Sequence, residues 1–157
     1  MVKSIFVYQT DIGALKIAEN GTAITNLYFS EESLPQQAVV QETELLKEAA
    51  QQLTEYFSGR RKDFSVPLAP SGTVFMQCVW AEVEKIPYGE SQSYKGMAQR
   101  IGRPKAVRAI GMANNKNPIP IFIPCHRVIG VNGNLIGYRG GLKIKKQLLE
   151  LERQYKK

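Results

Sequence analysis

Cys125 stands beside His126, the only histidine of the chain, within Pro124-Cys125-His126-Arg127-Val128. A thiol is an effective nucleophile only as its thiolate, and a neighbouring imidazole can generate that anion near neutral pH. The pair could carry covalent chemistry at sulfur; on these two residues alone, a small buried cysteine filling a core is the alternative. The segment before it, Asn117 to Ile123, is apolar and interrupted by Pro118 and Pro120, with Pro124 following. Prolines lack an N–H donor, so this stretch is neither helix interior nor central strand, and the cysteine is presented from a rigid, irregular segment.

The remaining composition narrows the chemistry. Two cysteines, Cys78 and Cys125, and one histidine make neither a disulfide framework nor a zinc-ligand pattern. No metal and no cofactor are therefore expected. No signal peptide and no membrane-length apolar run are read, so the expected location is the cytoplasm, or the nucleus in a eukaryote. Charge is lopsided. Through Pro70 there are six basic and nine acidic residues, but from Ser71 onward fifteen basic and five acidic. Between Glu90 and Glu150 no acid occurs while eleven Lys and Arg do. An ordinary solvated face would intersperse acids, so the C-terminal half reads as a polyanion-binding surface.

With 157 residues, 43% of them hydrophobic, the chain can form one ordinary domain or two small ones. The pattern predicts an α+β chain: a sheet-plus-helix domain over 1–70 and a mainly helical domain over 71–157. Residues Ser4–Gln9, Ala14–Glu19 and Thr22–Phe29 alternate in polarity, and Asn20-Gly21 is a type I′ hairpin signal, giving a three-stranded antiparallel meander. A helical stripe from Glu42 to Phe57 stops at Ser58-Gly59. Thr73 caps a helix with Val74, Phe75, Cys78, Val79 and Val83 at helical spacing, which makes Cys78 a core residue. Ser93 caps a short helix to Ile101, and Pro104 starts a second one to about Ala113. Together they outline a helix-turn-helix, or winged-helix-like, unit. Lys105 and Arg108 fall on its second helix, where the small Ala106, Ala109 and Gly111 would let the backbone approach a groove. A last helix from about Lys143 has Ile144, Leu148 and Leu151 inward. Glu152 follows Leu148 by one turn; it is either an inward carboxylate needing a partner such as the histidine, or a surface glutamate near the C-terminus.

These residues resemble the O6-alkylguanine-DNA alkyltransferases, also called methylated-DNA–protein-cysteine methyltransferases. The family core Pro-Cys-His-Arg-Val stands intact at 124–128, flanked by Ser93-Tyr94, Arg108-Ala109, Asn117-Pro118, Gly137-Tyr138-Arg139-Gly140-Gly141-Leu142 and Leu148-Leu149…Glu152. The resemblance covers most of 73–152; the first seventy residues carry no comparable motif and lack the zinc ligands of some relatives. It implies direct-reversal repair of double-stranded DNA containing O6-alkylguanine, by a monomer without an obligate protein partner or membrane attachment. Cys125 would accept the alkyl group in a single turnover, His126 would act as base through a water, and Glu152 would orient it. Tyr94 would protonate the departing guanine, and Asn117 would tie the turn before the cysteine to the helix-turn-helix. Arg108 would replace a flipped base, with Lys105, Ala106, Ala109 and Tyr94 on the DNA side. Tyr138 would stack on that base, the Arg139 backbone N–H would bind its O6, and the Cys125 and Val128 carbonyls would read its amine.

Two departures from the pattern stand out. Arg103 replaces an asparagine-type cap, weakening that helix start by about 1 kcal/mol. Ile136 stands where some relatives have glycine, and is expected to narrow the pocket in favour of methyl adducts. Three competing readings are a non-catalytic lesion sensor, a helix-turn-helix DNA-binding regulator and a Cys-His hydrolase. Sensors of this architecture replace the acceptor cysteine, a regulator would leave the catalytic set without a purpose, and a hydrolase would need an oxyanion hole.

Overall fold

Alternating polarity at the N-terminus produces β1 (Ser4–Thr10), β2 (Gly13–Glu19) and β3 (Ile24–Phe29), paired antiparallel with Ser4 opposite Glu19 and Leu15 opposite Phe29. A two-residue strand, β4 (Val39–Val40), runs parallel to β1 and completes a sheet of order β3-β2-β1-β4. Two residues carry no periodicity, so this fourth strand has no sequence signature. Asn20-Gly21 does not make the predicted two-residue turn. The Asn20 carboxamide accepts the Thr22 and Ala23 N–H groups, at 2.9 Å each, and opens a four-residue loop. Asparagine competes for backbone donors in this way, and here that wins over the hairpin.

Helix α1 (Glu44–Phe57) starts where the Thr43 side chain accepts the Leu46 N–H, and ends at Ser58-Gly59 with Gly59 at φ 80°. Its inner face, Leu46, Ala49, Leu53 and Tyr56, is buried with Ile5, Leu15, Ile17 and Leu27 of the sheet. The computed structural model describes residues 2–156, and its backbone divides into the units Met1–Ser71 and Gly72–Lys157. Among the described residues, no helix is long and apolar enough to cross a membrane.

The second unit holds α2 (Val74–Glu84), α3 (Tyr94–Arg100), α4 (Val107–Asn115) and α5 (Leu142–Tyr155). Thr73 and Ser93 cap α2 and α3 as their types dictate, accepting from Met76 N and Gly96 N. Cys78 is exposed rather than core, and so is Val74. The buried stripe of α2 is instead Val79, Trp80 and Val83, because the Trp80 indole N–H reaches the Ala113 carbonyl at 2.8 Å and draws that face inward. Pro104 is not a first helical residue. The Ala106 N–H bonds the Arg103 carbonyl at 2.9 Å, so Pro104 and Lys105 form the middle of a turn, and α4 begins at Val107 without a side-chain cap. Short strands β5 (Gln92–Ser93) and β6 (Val128–Ile129) pair in parallel, Gln92 with Val128. That pairing sets the start of α3 against the chain leaving the cysteine.

Candidate active site

The cysteine sits on a loop built to hold one shape. Asn117 is 1% exposed; its Nδ2 donates to the Ile123 carbonyl at 2.8 Å while its Oδ1 accepts the Ile119 N–H at 2.9 Å. Ile121 lies within this closed loop at φ 75°, a left-handed conformation that costs a β-branched residue about 1–3 kcal/mol. Four buried side chains, Ile119, Ile121, Phe122 and Ile123, hold it there. Pro124 then leads into a single 3₁₀ turn, Cys125–Arg127, whose residues are all buried. Asn117 therefore closes its own loop, whereas the bond to the helix-turn-helix comes from Asn114 of α4, whose Nδ2 donates to the Cys125 carbonyl at 3.1 Å. Asn114 was missed in the sequence; its only signal is its place on the buried face of α4 with Ile110 and Ala113.

Glu152 is inward. At 1% exposure it meets His126, at 0%, through Oε2 and the ring Nε2 at 2.7 Å. Arg127 grips the same carboxylate through Nε at 2.8 Å and Nη2 at 3.0 Å, and its Nη1 donates to the Ile86 carbonyl at 2.7 Å. The Gly89 N–H donates to Glu152 Oε1 at 3.1 Å. Burial alone would raise the Glu152 pKa, but the His126 and Arg127 bonds reverse it and hold the carboxyl well below its usual range. Burial lowers the His126 pKa, helped by the charges of Arg127 and Lys145, and outweighs the opposing pull of Glu152. At neutral pH the ring is thus neutral beside an anion that can only accept. Nε2 must carry the proton, and Nδ1 is the basic nitrogen.

The thiol is 4% exposed, and burial is the main influence raising its pKa. A hydrogen bond from Asn117 and the charges of Arg139 and Lys145 act in the opposite direction. Lys145 had no sequence signal beyond its spacing of three from Leu148. It is fully buried, and its Nζ donates to the carbonyls of Val128 (2.7 Å), Ile136 (3.1 Å) and Gly137 (3.2 Å). Desolvation lowers its pKa to about 8. The inner face of α5 is therefore Lys145, Leu148 and Glu152, three positions of which two are charged.

A cavity of ≈ 430 Å³ opens beside this cluster, lined by Tyr94, Arg108, Gly111, Asn114, Ile136 and Tyr138 among others. The Tyr94 hydroxyl donates to the Ile136 carbonyl at 3.0 Å; burial is the first of the influences raising its pKa. Burial likewise pushes the Tyr138 phenol well up. Cys125 and His126 do not line the cavity; Asn114 on its wall is bonded to the cysteine backbone. Arg108 and Ala109 are exposed on α4 and Ala106 is half-buried at its start, while Lys105 is exposed in the preceding turn. The structure thus gathers Cys125, His126, Glu152, Asn117 and Val128 in one buried cluster. Tyr94, Tyr138 and Arg108 lie on the cavity beside it. Among the described residues, no group of three or more His, Cys, Asp or Glu is placed to hold a metal ion.

Comparison with known proteins agrees along the whole chain. Residues 74–154 match the family model of the 6-O-methylguanine DNA methyltransferase DNA-binding domain, and residues 5–70 match that family's ribonuclease-like domain. The constitutive methylated-DNA–protein-cysteine methyltransferase of Bacillus subtilis is 51% identical over 152 residues, 92% of each chain. The protein of that name from Methanosarcina acetivorans is 46% identical over 93% of this chain and 96% of its own. The crystal structure of Mycobacterium tuberculosis OGT in complex with DNA superposes with a TM-score of 0.93 at 42% identity, covering 97% of this chain and 94% of that one. Both units match their own domain model, and the relatives align over nearly their full length, so the chain belongs to the 6-O-methylguanine DNA methyltransferase family.

Proposed function

We propose that this protein repairs O6-alkylguanine in duplex DNA by moving the alkyl group irreversibly to Cys125. The observation that carries the reading is the buried chain Arg127–Glu152–His126 behind the cysteine, with the histidine held in the tautomer that leaves Nδ1 basic. His126 Nδ1 takes the thiol proton, through a water as in the family, and Glu152 stabilises the imidazolium. The thiolate attacks the alkyl carbon, a new S–C bond forms, and the C–O6 bond breaks with its electron pair leaving on the guanine. Tyr94 supplies the proton that the departing base needs. The product is a thioether, which water does not cleave, so each molecule acts once.

A base in the stack cannot reach a thiol at 4% exposure, so the guanine must leave the duplex. The exposed outer side of α4 faces the DNA in this reading. Arg108 fills the space of the flipped base, and Lys105, Ala106 and Ala109 lie along the groove. The base enters the cavity, stacks on Tyr138, and takes the Arg139 backbone N–H at O6. The Cys125 carbonyl accepts from Asn114 Nδ2 and from the Val128 N–H, and the Val128 carbonyl accepts from Lys145 Nζ. These donors orient the two carbonyls that would face the exocyclic amine of the flipped base. Incubation with an O6-methylguanine duplex, followed by peptide mass analysis, tests the proposal: one methyl per protein is expected on Cys125. Lesion-selective binding without transfer would refute it in favour of a sensor.

A further inference from the structure

The function above uses Arg139 of the loop Gly137–Gly141 only through its backbone N–H, yet the Arg139 side chain has a definite place. Its Nη1 donates to the backbone carbonyl of Asn117. Asn117 closes the 117–123 loop through Nδ2 on the Ile123 carbonyl, the same carbonyl that accepts the Cys125 N–H at 2.7 Å. The guanidinium is thus docked on the loop that carries the cysteine, and its charge acts on the thiol. The other charged and titratable groups around Cys125 are Lys145 and Glu152 from α5, His126 and Arg127 from the 3₁₀ turn, Tyr94 from α3 and Tyr138 from the loop. Arg127 is committed to Glu152 and the Ile86 carbonyl. Lys145 is committed to three carbonyls and gives up its proton at about pH 8. Arginine stays charged at every relevant pH, so Arg139 is the cation that persists beside the sulfur when Lys145 is neutral.

The same contact completes the anchoring of the loop. At its start, Ile136 O accepts from both Tyr94 and Lys145. Gly137 (φ 54°) and Gly141 (φ 96°) bracket the segment that follows, where backbone freedom is greatest. The Arg139–Asn117 bond ties down the stretch between them. We propose that the Arg139 side chain is a positioning residue for alkyl transfer, docking the loop on the Asn117 carbonyl and setting a permanent positive charge that stabilises the Cys125 thiolate. This rests on Cys125 being the acceptor.

The test compares Arg139→Gln and Arg139→Lys with wild type and with Lys47→Gln, a charge lost from the exposed face of α1. Two pH profiles are read for each: methyl transfer from an O6-methylguanine duplex, and alkylation of the Cys125 peptide by iodoacetamide, a neutral reagent that needs no guanine pocket. An opposite charge close to a thiolate is worth at least about one pH unit. Arg139→Gln should therefore move the iodoacetamide midpoint up by about one unit and slow methyl transfer at pH 7 about tenfold. Arg139→Lys should restore the midpoint to within about 0.3 unit, and its survival keeps the test valid if the glutamine variant fails to fold. An unchanged midpoint in Arg139→Gln overturns the proposal, even if methyl transfer slows. If wild type takes no methyl on Cys125 while Arg139→Gln still moves the iodoacetamide midpoint, the repair function is overturned and this charge effect stands.

Discussion

Replacing Arg127 by methionine separates charge from packing at the centre of the site. Glu152 accepts four hydrogen bonds, and Arg127 supplies two of them in a fork at 2.8 and 3.0 Å. Methionine keeps an apolar stem of similar length beside Tyr88, over whose ring the guanidinium lies at 5.7 Å. It removes the fork and the bond to Ile86 O. Breaking a buried ion pair on one side costs about 3–5 kcal/mol, because the surviving charge stays desolvated. His126 and Gly89 still serve Glu152, so the lower end, about 3 kcal/mol, is expected. For a unit of this size, 1 kcal/mol moves Tm by about 4–8 °C, which gives a fall of about 12–24 °C.

The pH dependence fixes the cause. Glu152 has a native pKa below its unfolded value of about 4.3. Such a group adds stability above the unfolded pKa, and this is lost as pH falls toward the native one. Without Arg127 the native pKa rises and the contribution shrinks to what His126 and Gly89 still supply. The gap between wild type and variant should be widest at neutral pH and shrink below about pH 4.3. Trp80 reports it: the single tryptophan is 2% exposed in the second unit and bonded to Ala113 O, so its fluorescence follows the unfolding of that unit. A Tm within about 3 °C of wild type at pH 7, or a gap that grows in acid, would refute the reasoning.

Cys125→Ser should abolish transfer and leave duplex affinity within about twofold, measured by anisotropy, since the thiol is buried and the proposed DNA contacts lie on α4; lost affinity would contradict that division. Arg108→Ala should slow repair in duplex at least about tenfold more than reaction with the free alkylated base, and equal slowing would indicate a damaged pocket instead. Ile136→Gly should raise the benzyl-to-methyl rate ratio, because Ile136 lines the cavity and its Cδ1 lies against Gly130, leaving no slack on that side. An unchanged ratio would show that the pocket is limited elsewhere.

The residues with reactive side chains were readable from sequence because reactivity needs particular types: one histidine, one motif cysteine, and a glutamate one turn from an inner leucine. The meander and α1 were readable because periodicity and caps are local. What escaped depends on distant pairing. Val39–Val40 becomes a strand only because β1 has a bare edge to offer, and Cys78 is exposed because Trp80 takes the inward direction to reach Ala113 O. Pro104 suits a first helical residue and the second position of a turn equally well, and the Arg103–Ala106 bond selects the turn.

Lys145 and Arg127 show why a polar site cannot be read from an apolar stripe. Both are basic residues that composition assigns to a DNA-facing surface, and both are buried. Burying a charge is tolerated only where partners compensate it, and here the partners are backbone carbonyls of Val128, Ile136, Gly137 and Ile86, plus one carboxylate. Three of those carbonyls belong to irregular chain and the fourth, Val128, to the two-residue strand β6, where backbone acceptors are left unspent by helix or sheet. The chain after α2, the strand after the cysteine and the start of the glycine-rich loop therefore do more than present the cysteine. They provide the acceptors that let two cations enter the core, one steadying Glu152 and the other acting on the sulfur. The net positive charge of the second half is thus split, with Arg127 and Lys145 spent inside the core while Lys95, Arg100, Arg103, Lys105, Arg108, Lys116, Lys143 and Lys146 stay exposed.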